Sequence, residues 1–211
     1  FSINDSYDLD ELLGAGTRSF VFGGVRRGDA RPVAVKILRE LVARDRAVRK
    51  RFLDEATANR AVVHDNLVGL IESGEDDTYG AAFLVMERLT GETGEAMVRQ
   101  ARRVPWQQAI PLLIQVCRGV AAAHACGISD GHVTIKKLFV AQTADGPRVK
   151  LCDFGFSSAT TTPANAEQRD DLYGIGTVAH ELLSGRSPLE GTSAAGMLSD
   201  DPIRLNERFP T

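Results

Sequence analysis

The sequence predicts an α+β fold in two lobes, and two observations carry that expectation. Across residues 1–88, short β-prone runs alternate with glycine- and charge-rich turns around a single helical stretch; from residue 89 onward, long segments with helical apolar periodicity dominate. A chain of 211 residues that is 43% hydrophobic is also long enough to bury a core in each part. The expected organisation is therefore a first lobe, 1–88, of five antiparallel strands and one helix, and a mainly helical second lobe, 89–211.

The elements follow in order. Tyr7–Leu13 and Ser19–Gly23 read as strands joined by Gly14-Ala-Gly-Thr-Arg18, a turn in which glycines let backbone N–H groups come close to an anion. Pro32–Leu38 is an apolar strand broken only by Lys36, and a lysine inside a buried strand needs an anionic partner or a route to water. Residues 40–62 carry apolar positions at helical spacing and include Glu55, the available counter-ion for Lys36. Asn66–Ile71 and Ala82–Met86 read as two further strands around the acidic turn Glu75-Asp-Asp77. Beyond them, 91–103 reads as a short helix and Trp106–His124 as a longer one, with Pro111 as an objection outside a first turn. His124 and His180 are read as core histidines. Leu138–Val140 and Val149–Cys152 pair across Ala144-Asp-Gly-Pro147, a hairpin that sets two polar segments side by side, Asp130–Lys137 and Asp153-Phe-Gly155. Residues 170–184 are apolar on most sides and end at Gly185 and Pro188.

Composition narrows the function. A net charge of −3 gives no electrostatic footprint for nucleic acid or an anionic membrane surface. No apolar run reaches the roughly 18–20 residues of a membrane span. Cys117, Cys126 and Cys152 lack paired spacing and are expected as buried reduced thiols, which suits a cytoplasmic protein. The start at Phe1 is read as that of a domain from a longer polypeptide, such as the cytosolic part of a membrane-anchored protein.

In order and spacing these motifs resemble a eukaryotic-type protein kinase of the kind bacteria also carry. The Gly-rich loop is similar to Gly14-Ala-Gly-Thr-Arg-Ser19-Phe-Val21, the strand lysine to Val33-Ala-Val-Lys36 and the helix glutamate to Glu55. Phe83-Leu-Val-Met-Glu87 resembles the hinge with Met86 as gatekeeper, Asp153-Phe-Gly155 the metal-binding motif, and Asp171-Leu-Tyr-Gly-Ile-Gly176 the start of a central helix. The resemblance implies nucleotide contacts from Gly14, Gly16, Val21, Ala34, Lys36, Glu55, Met86, Glu87 and Asp153, with ATP as ligand and Asp153 holding magnesium.

The loop before the hairpin departs from that pattern. Aligned back from Leu138-Phe-Val140, His132 falls at the catalytic aspartate, Asp130 and Gly131 at the preceding histidine and arginine, Thr134 at the loop lysine and Lys137 at the metal-binding asparagine. A histidine accepts a proton near neutral pH but has a different reach. Lys137 would repel a second magnesium and could itself neutralise phosphate, lowering the dependence on the metal. A second register makes Asp130 the catalytic carboxylate at the cost of a two-residue insertion. The spine residues are altered as well, with Asn59 at an apolar helix position. The expected function is therefore a pseudokinase: a nucleotide-binding or scaffolding signalling module without catalytic residues. The alternative is a weak or atypical Ser/Thr kinase.

Between Asp153 and Asp171 the activation segment is short, with Ala166-Glu-Gln168 a remnant of its end, and the last helices of the second lobe are expected to be missing. Thr160, Thr161 and Thr162 are candidate phosphoacceptors. The expected partners are proteins, an active kinase or a phosphopeptide-binding domain among them.

Overall fold

The computed structural model describes residues 1–76, 78–156 and 164–188. The chain forms two compact units. One comprises Phe1–His64 with Val68–Thr90, and the other Asp65–Leu67 with Gly91–Thr211. The sequence-based boundary at residue 88 misses the three residues 65–67, which belong to the second unit.

In the first unit, six antiparallel strands lie in the order β1-β2-β3-β4-β6-β5: β1 Ser2–Ile3, β2 Tyr7–Ala15, β3 Ser19–Arg26, β4 Arg31–Leu38, β5 Leu70–Asp76 and β6 Ala81–Glu87. One strand more than expected is present, because Ser2 and Ile3 pair with Asp8 and Tyr7. Strand alternation sends Ile3, Tyr7, Leu9, Val33, Val35, Ile37, Phe83 and Val85 into one core. The Tyr7 hydroxyl donates to Glu72 Oε2 at 2.5 Å, and its pKa is pushed up to about 12, first by burial and then by that carboxylate.

The expected single helix is two, α1 Glu40–Ala43 and α2 Arg46–Arg60. Asp45 separates them as an N-cap, its carboxylate accepting the N–H groups of Ala47 at 2.9 Å and Val48 at 3.3 Å. The strand expected at Asn66–Ile71 lies later, at Leu70–Asp76. Asp76 ends it by accepting the N–H groups of Asn4, Thr78 and Tyr79, a side-chain-built turn that fixes where the chain reverses.

The second unit holds β7 Gly91–Thr93, α3 Gly94–Ala101, α4 Trp106–Ala125, a 3₁₀ turn Ile135–Lys137, β8 Leu138–Thr143, β9 Gly146–Leu151 and α5 Ala164–Ser184. Strands β7, β8 and β9 form an antiparallel sheet in that order. β7 takes the first three residues of the expected short helix, with Thr93 capping α3 through its hydroxyl to Ala96 N–H. Pro111 is tolerated inside α4.

Helix α5 is amphipathic rather than apolar on most sides. Asp171, Gly174, Val178, His180 and Leu182 are buried while Leu172 and Tyr173 are exposed. The remnant Ala166-Glu-Gln168 lies within its first turns. The cysteines are free, but Cys117 and Cys126 are exposed and Cys152 half-buried; they occupy outward or edge positions, not the core. No helix among the described residues is long and apolar enough to cross a membrane. The expectations for Thr160, Thr161, Thr162 and the final helices fall outside the described residues.

Candidate functional site

The β8–β9 hairpin and the 3₁₀ turn position the altered loop. Cys152 N–H donates to Lys137 O at 2.8 Å, so the chain after β9 runs beside the end of the 3₁₀ turn. Asp130 is fully buried, and Lys137 Nζ donates to its Oδ1 at 2.7 Å and its Oδ2 at 2.5 Å. Gly155 N–H donates to the same Oδ1 at 2.9 Å. One carboxylate thus ties the 130–137 loop to the Asp153-Phe-Gly155 segment.

Asp171, also fully buried, supports that carboxylate from α5. Its Oδ2 accepts the Asp130 backbone N–H at 3.0 Å and lies 2.8 Å from His124 Nε2. The His124 ring also stands beside Phe154, with centroids 6.4 Å apart. Burial pushes the Asp130 carboxyl above its ordinary value, while Lys137 and the Gly155 N–H pull against that rise. The second carboxylate of the loop's surroundings, Glu167, accepts from Ser129 Oγ at 2.7 Å.

These contacts answer two sequence expectations. Lys137 does not stand ready for phosphate or a vacant metal position, because its ammonium is held by Asp130. In the second register Asp130 would need to reach a hydroxyl outside the protein, yet it is enclosed and both of its oxygens are engaged. His132 is instead exposed and lines a 410 Å³ cavity with Glu95, Thr134, Lys136 and Glu181; burial pushes the Glu181 carboxyl up. Gly131 has φ 64° and Asp153 φ 55°. A left-handed aspartate is strained, and such strain concentrates at functional segments.

In the first unit, sheet register sorts the remaining residues. Val21 pairs with Lys36, Ala34 with Gly23 and Met86, so Val21, Ala34, Lys36 and Met86 share one face of the sheet. The opposite face carries Val33, Val35, Ile37, Phe83 and Val85 of the core. Lys36 is 9% exposed, an enclosed cation. Gly14 pairs opposite Val21, and a Cβ there would meet nothing within 4 Å. Gly16 N–H donates to Ser19 O at 2.8 Å, and Gly16 O accepts from Arg39 Nε at 2.9 Å. The turn is therefore braced, with the Arg39 guanidinium 4.0 Å over the Phe20 ring. Glu55 lies half-buried on α2. Glu87 does not join the shared face; it pairs opposite Val33, and its Oε1 accepts the Gly69 N–H at 2.8 Å.

Sequence reasoning missed His124 and Asp171 as members of the network. An acidic residue at a buried position of a helix, and a histidine closing another helix's apolar face, were the available signals.

The protein kinase domain family model matches residues 7–170. The chain is 31% identical over 219 residues to a probable serine/threonine-protein kinase PknB of Corynebacterium glutamicum, covering 92% of this chain and 33% of that relative. It is 29% identical over 214 residues to the serine/threonine-protein kinase PknL of Mycobacterium tuberculosis, covering 91% and 52%. The chain spans about a third of the length of the first of these relatives and about half of the second. Among solved structures, the Mycobacterium tuberculosis PknI kinase domain superposes with a TM-score of 0.82 at 21% identity, over 100% of this chain and 83% of that one. That likeness carries the fold, and the family match supplies the rest: with a six-stranded antiparallel sheet, a buried strand lysine and the Asp153-Phe-Gly155 segment in sequence order, the chain belongs to the protein kinase family.

Proposed function

We propose that this chain is a pseudokinase, a nucleotide-binding or scaffolding module that signals through protein partners. The observation that carries the reading is the ion pair between the fully buried Asp130 and the half-buried Lys137. With Asp130 enclosed, the remaining group at the catalytic carboxylate position is the exposed His132, and with Lys137 pinned, the asparagine position offers no metal ligand. Kinase chemistry needs a base beside the attacking hydroxyl and cations on the transferred phosphate, and both requirements go unmet in this loop.

The residues that fit a nucleotide are those on the shared sheet face. Val21, Ala34 and Met86 supply apolar surface for a purine, Lys36 a buried cation for phosphate, and Gly14 a backbone with open space above it. Asp153 is the carboxylate suited to one magnesium. ATP and magnesium are typical of the family, and a bound metal would supply charge neutralisation at the phosphates. The reduced magnesium dependence expected from Lys137 loses its basis once that ammonium is paired, so the proposal is a single magnesium, held through Asp153. Partners remain proteins, an active kinase or a phosphopeptide-binding domain that reads Thr160, Thr161 or Thr162, in a cytoplasmic setting.

Thermal-shift titration with ATP, with and without magnesium, tests the nucleotide part: a ligand that binds only the folded state at about 100 times its Kd adds roughly 2.7 kcal/mol. The expected outcome is an upward shift lost in Lys36→Met. Radiolabelled phosphate transfer from ATP to a generic protein substrate, present in the parent and abolished by Asp153→Ala, would overturn the pseudokinase reading in favour of a weak Ser/Thr kinase.

A further inference from the structure

Helix α4 carries apolar residues on its outer side as well as its inner one. Its 20 residues hold one permanent charge, Arg118, whereas a surface helix ordinarily turns a charged face to water. Trp106, the chain's sole tryptophan, is 65% exposed, Ile110 44% and Ile114 47%. Cys117 and Ala121 are exposed as well. At helical spacing these five residues fall within about 80° of arc and form one continuous stripe. A separate stripe, Ala109, Leu112, Val116, Val120 and Ala123, is the one buried in the second unit. Packing of that inner stripe therefore does not account for the outer one.

Side-chain size falls along the outer stripe, from Trp106, Ile110 and Ile114 to Cys117 and Ala121. Two copies laid antiparallel about a twofold axis beside residues 113 and 114 would set Trp106 against the partner's Ala121 and Ile110 against the partner's Cys117. The half-exposed Leu113 would meet the partner's Ile114. The outer layers then join a large side chain to a small one, which fills a helix–helix contact without voids or overlap. Parallel copies would instead oppose Trp106 to Trp106 and leave Ala121 facing Ala121. Charge follows the same symmetry. The twofold carries each Arg118 to the level of the partner's residue 109, about 13 Å along the axis from the other Arg118 and beyond the Debye length of about 8 Å. It arrives on the flank where Pro111 borders a 460 Å³ concavity that also holds Asp65 and Asp145. Their exposed carboxylates lie 3.3 Å and 3.6 Å from Arg148, near enough to the surface to receive a second cation.

We propose that the outer face of α4 is the contact surface of a twofold-symmetric dimer of this chain. A twofold contact requires one patch to be complementary to itself, and the stripe meets that requirement in both size and charge. Trp106 and Arg118 are also of the residue types that carry most of the energy in such contacts. A 20-residue helix is about 30 Å long, so the buried area falls at the small end for specific complexes and the dimer forms at micromolar concentration. A membrane surface would call for lysines and arginines along the helix flanks, and α4 has one arginine. The proposal does not rest on nucleotide binding or on the absence of phosphotransfer.

Sedimentation equilibrium of the 211-residue chain, read together with Trp106 fluorescence, tests it. A monomer–dimer equilibrium in the micromolar range is expected, with emission moving to shorter wavelength as concentration rises. Ile110→Glu with Ile114→Glu should weaken dimerisation about tenfold or more, and so should Trp106→Ala alone or Ala121→Trp alone. Combining the last two exchanges the large and small members of one layer and should bring the affinity back to within about threefold of the parent's. Circular dichroism of each variant in the monomeric range should match the parent's. Failure of the exchange to rescue, association that the glutamates leave unchanged, or a monomer at every concentration would overturn the proposal. A monomer whose Trp106 already emits at short wavelength would put another segment of the polypeptide on the stripe, and one emitting at long wavelength would leave the stripe to a different protein.

Discussion

Asp130 and Lys137 are each costly to bury alone and become tolerable as a pair, since desolvation of one charge is offset by the other and by the Gly155 N–H. Removing one partner is therefore far worse than removing both. Lys137→Met should destabilise the second unit by about 3–5 kcal/mol, while Asp130→Asn combined with Lys137→Met should recover most of that loss; urea denaturation of the three variants measures the coupling. The pH dependence has a definite sign. Burial raises the Asp130 carboxyl above its ordinary 3.8, so the native state holds a proton that the unfolded chain has already released, and stability falls as pH climbs through that window. Without Lys137 the rise grows. The gap between Lys137→Met and the parent should be small at pH 4 and widen toward pH 7, and a gap constant with pH would refute the buried charge. The motif residues Lys36 and Asp153 were legible because each is a charged residue in an apolar setting. The pair was not, because its members are seven residues apart and meet only through the 3₁₀ turn; two substitutions of opposite sign in one loop were the sole hint.

At the scale of elements, boundaries are set by single side chains that a periodicity reading passes over. Residues 40–62 carry apolar spacing that reads as one helix, yet Asp45 accepts the N–H groups of Ala47 and Val48 and starts a second one. Asp45→Ala should cost about 1 kcal/mol, seen as a lower urea midpoint with an unchanged slope; no change would mean that α2 is held by packing alone. Asp76 sets the end of β5 in the same way, and the strand expected at Asn66–Ile71 failed for a related reason. Asn66 and Leu67 look like the start of an apolar run, but Asn66 is spent on hydrogen bonds elsewhere. By contrast β4 and the β8–β9 hairpin were plain from sequence, since their alternation and turn residues agree with their final burial.

Asn66 decides how the whole molecule divides. Its Nδ2 donates to Val149 O at 2.9 Å and Gln115 Oε1 at 3.1 Å, and its own carbonyl accepts the Leu151 N–H at 2.9 Å. Gln115 Oε1 also accepts the Val149 N–H at 2.9 Å, so α4, β9 and residues 65–67 share one polar junction. A Cβ on Gly119 of α4 would stand 3.0 Å from Asn66 O, which shows how closely the helix backbone approaches the segment. The second unit is therefore completed by three residues that precede the last two strands of the first, and the chain cannot be cut at residue 88 or 90 without opening it. Asn66→Ala leaves the buried Val149 carbonyl short of a donor, at a cost of about 1–3 kcal/mol. A fragment of residues 91–211 loses the Asn66 carbonyl as well, so it should melt below the Asn66→Ala full chain and exchange the amide protons of Val149 and Leu151 faster. Protection of those amides in the fragment equal to that in the intact chain would show that residues 65–67 are an appendage and not part of the second unit's fold.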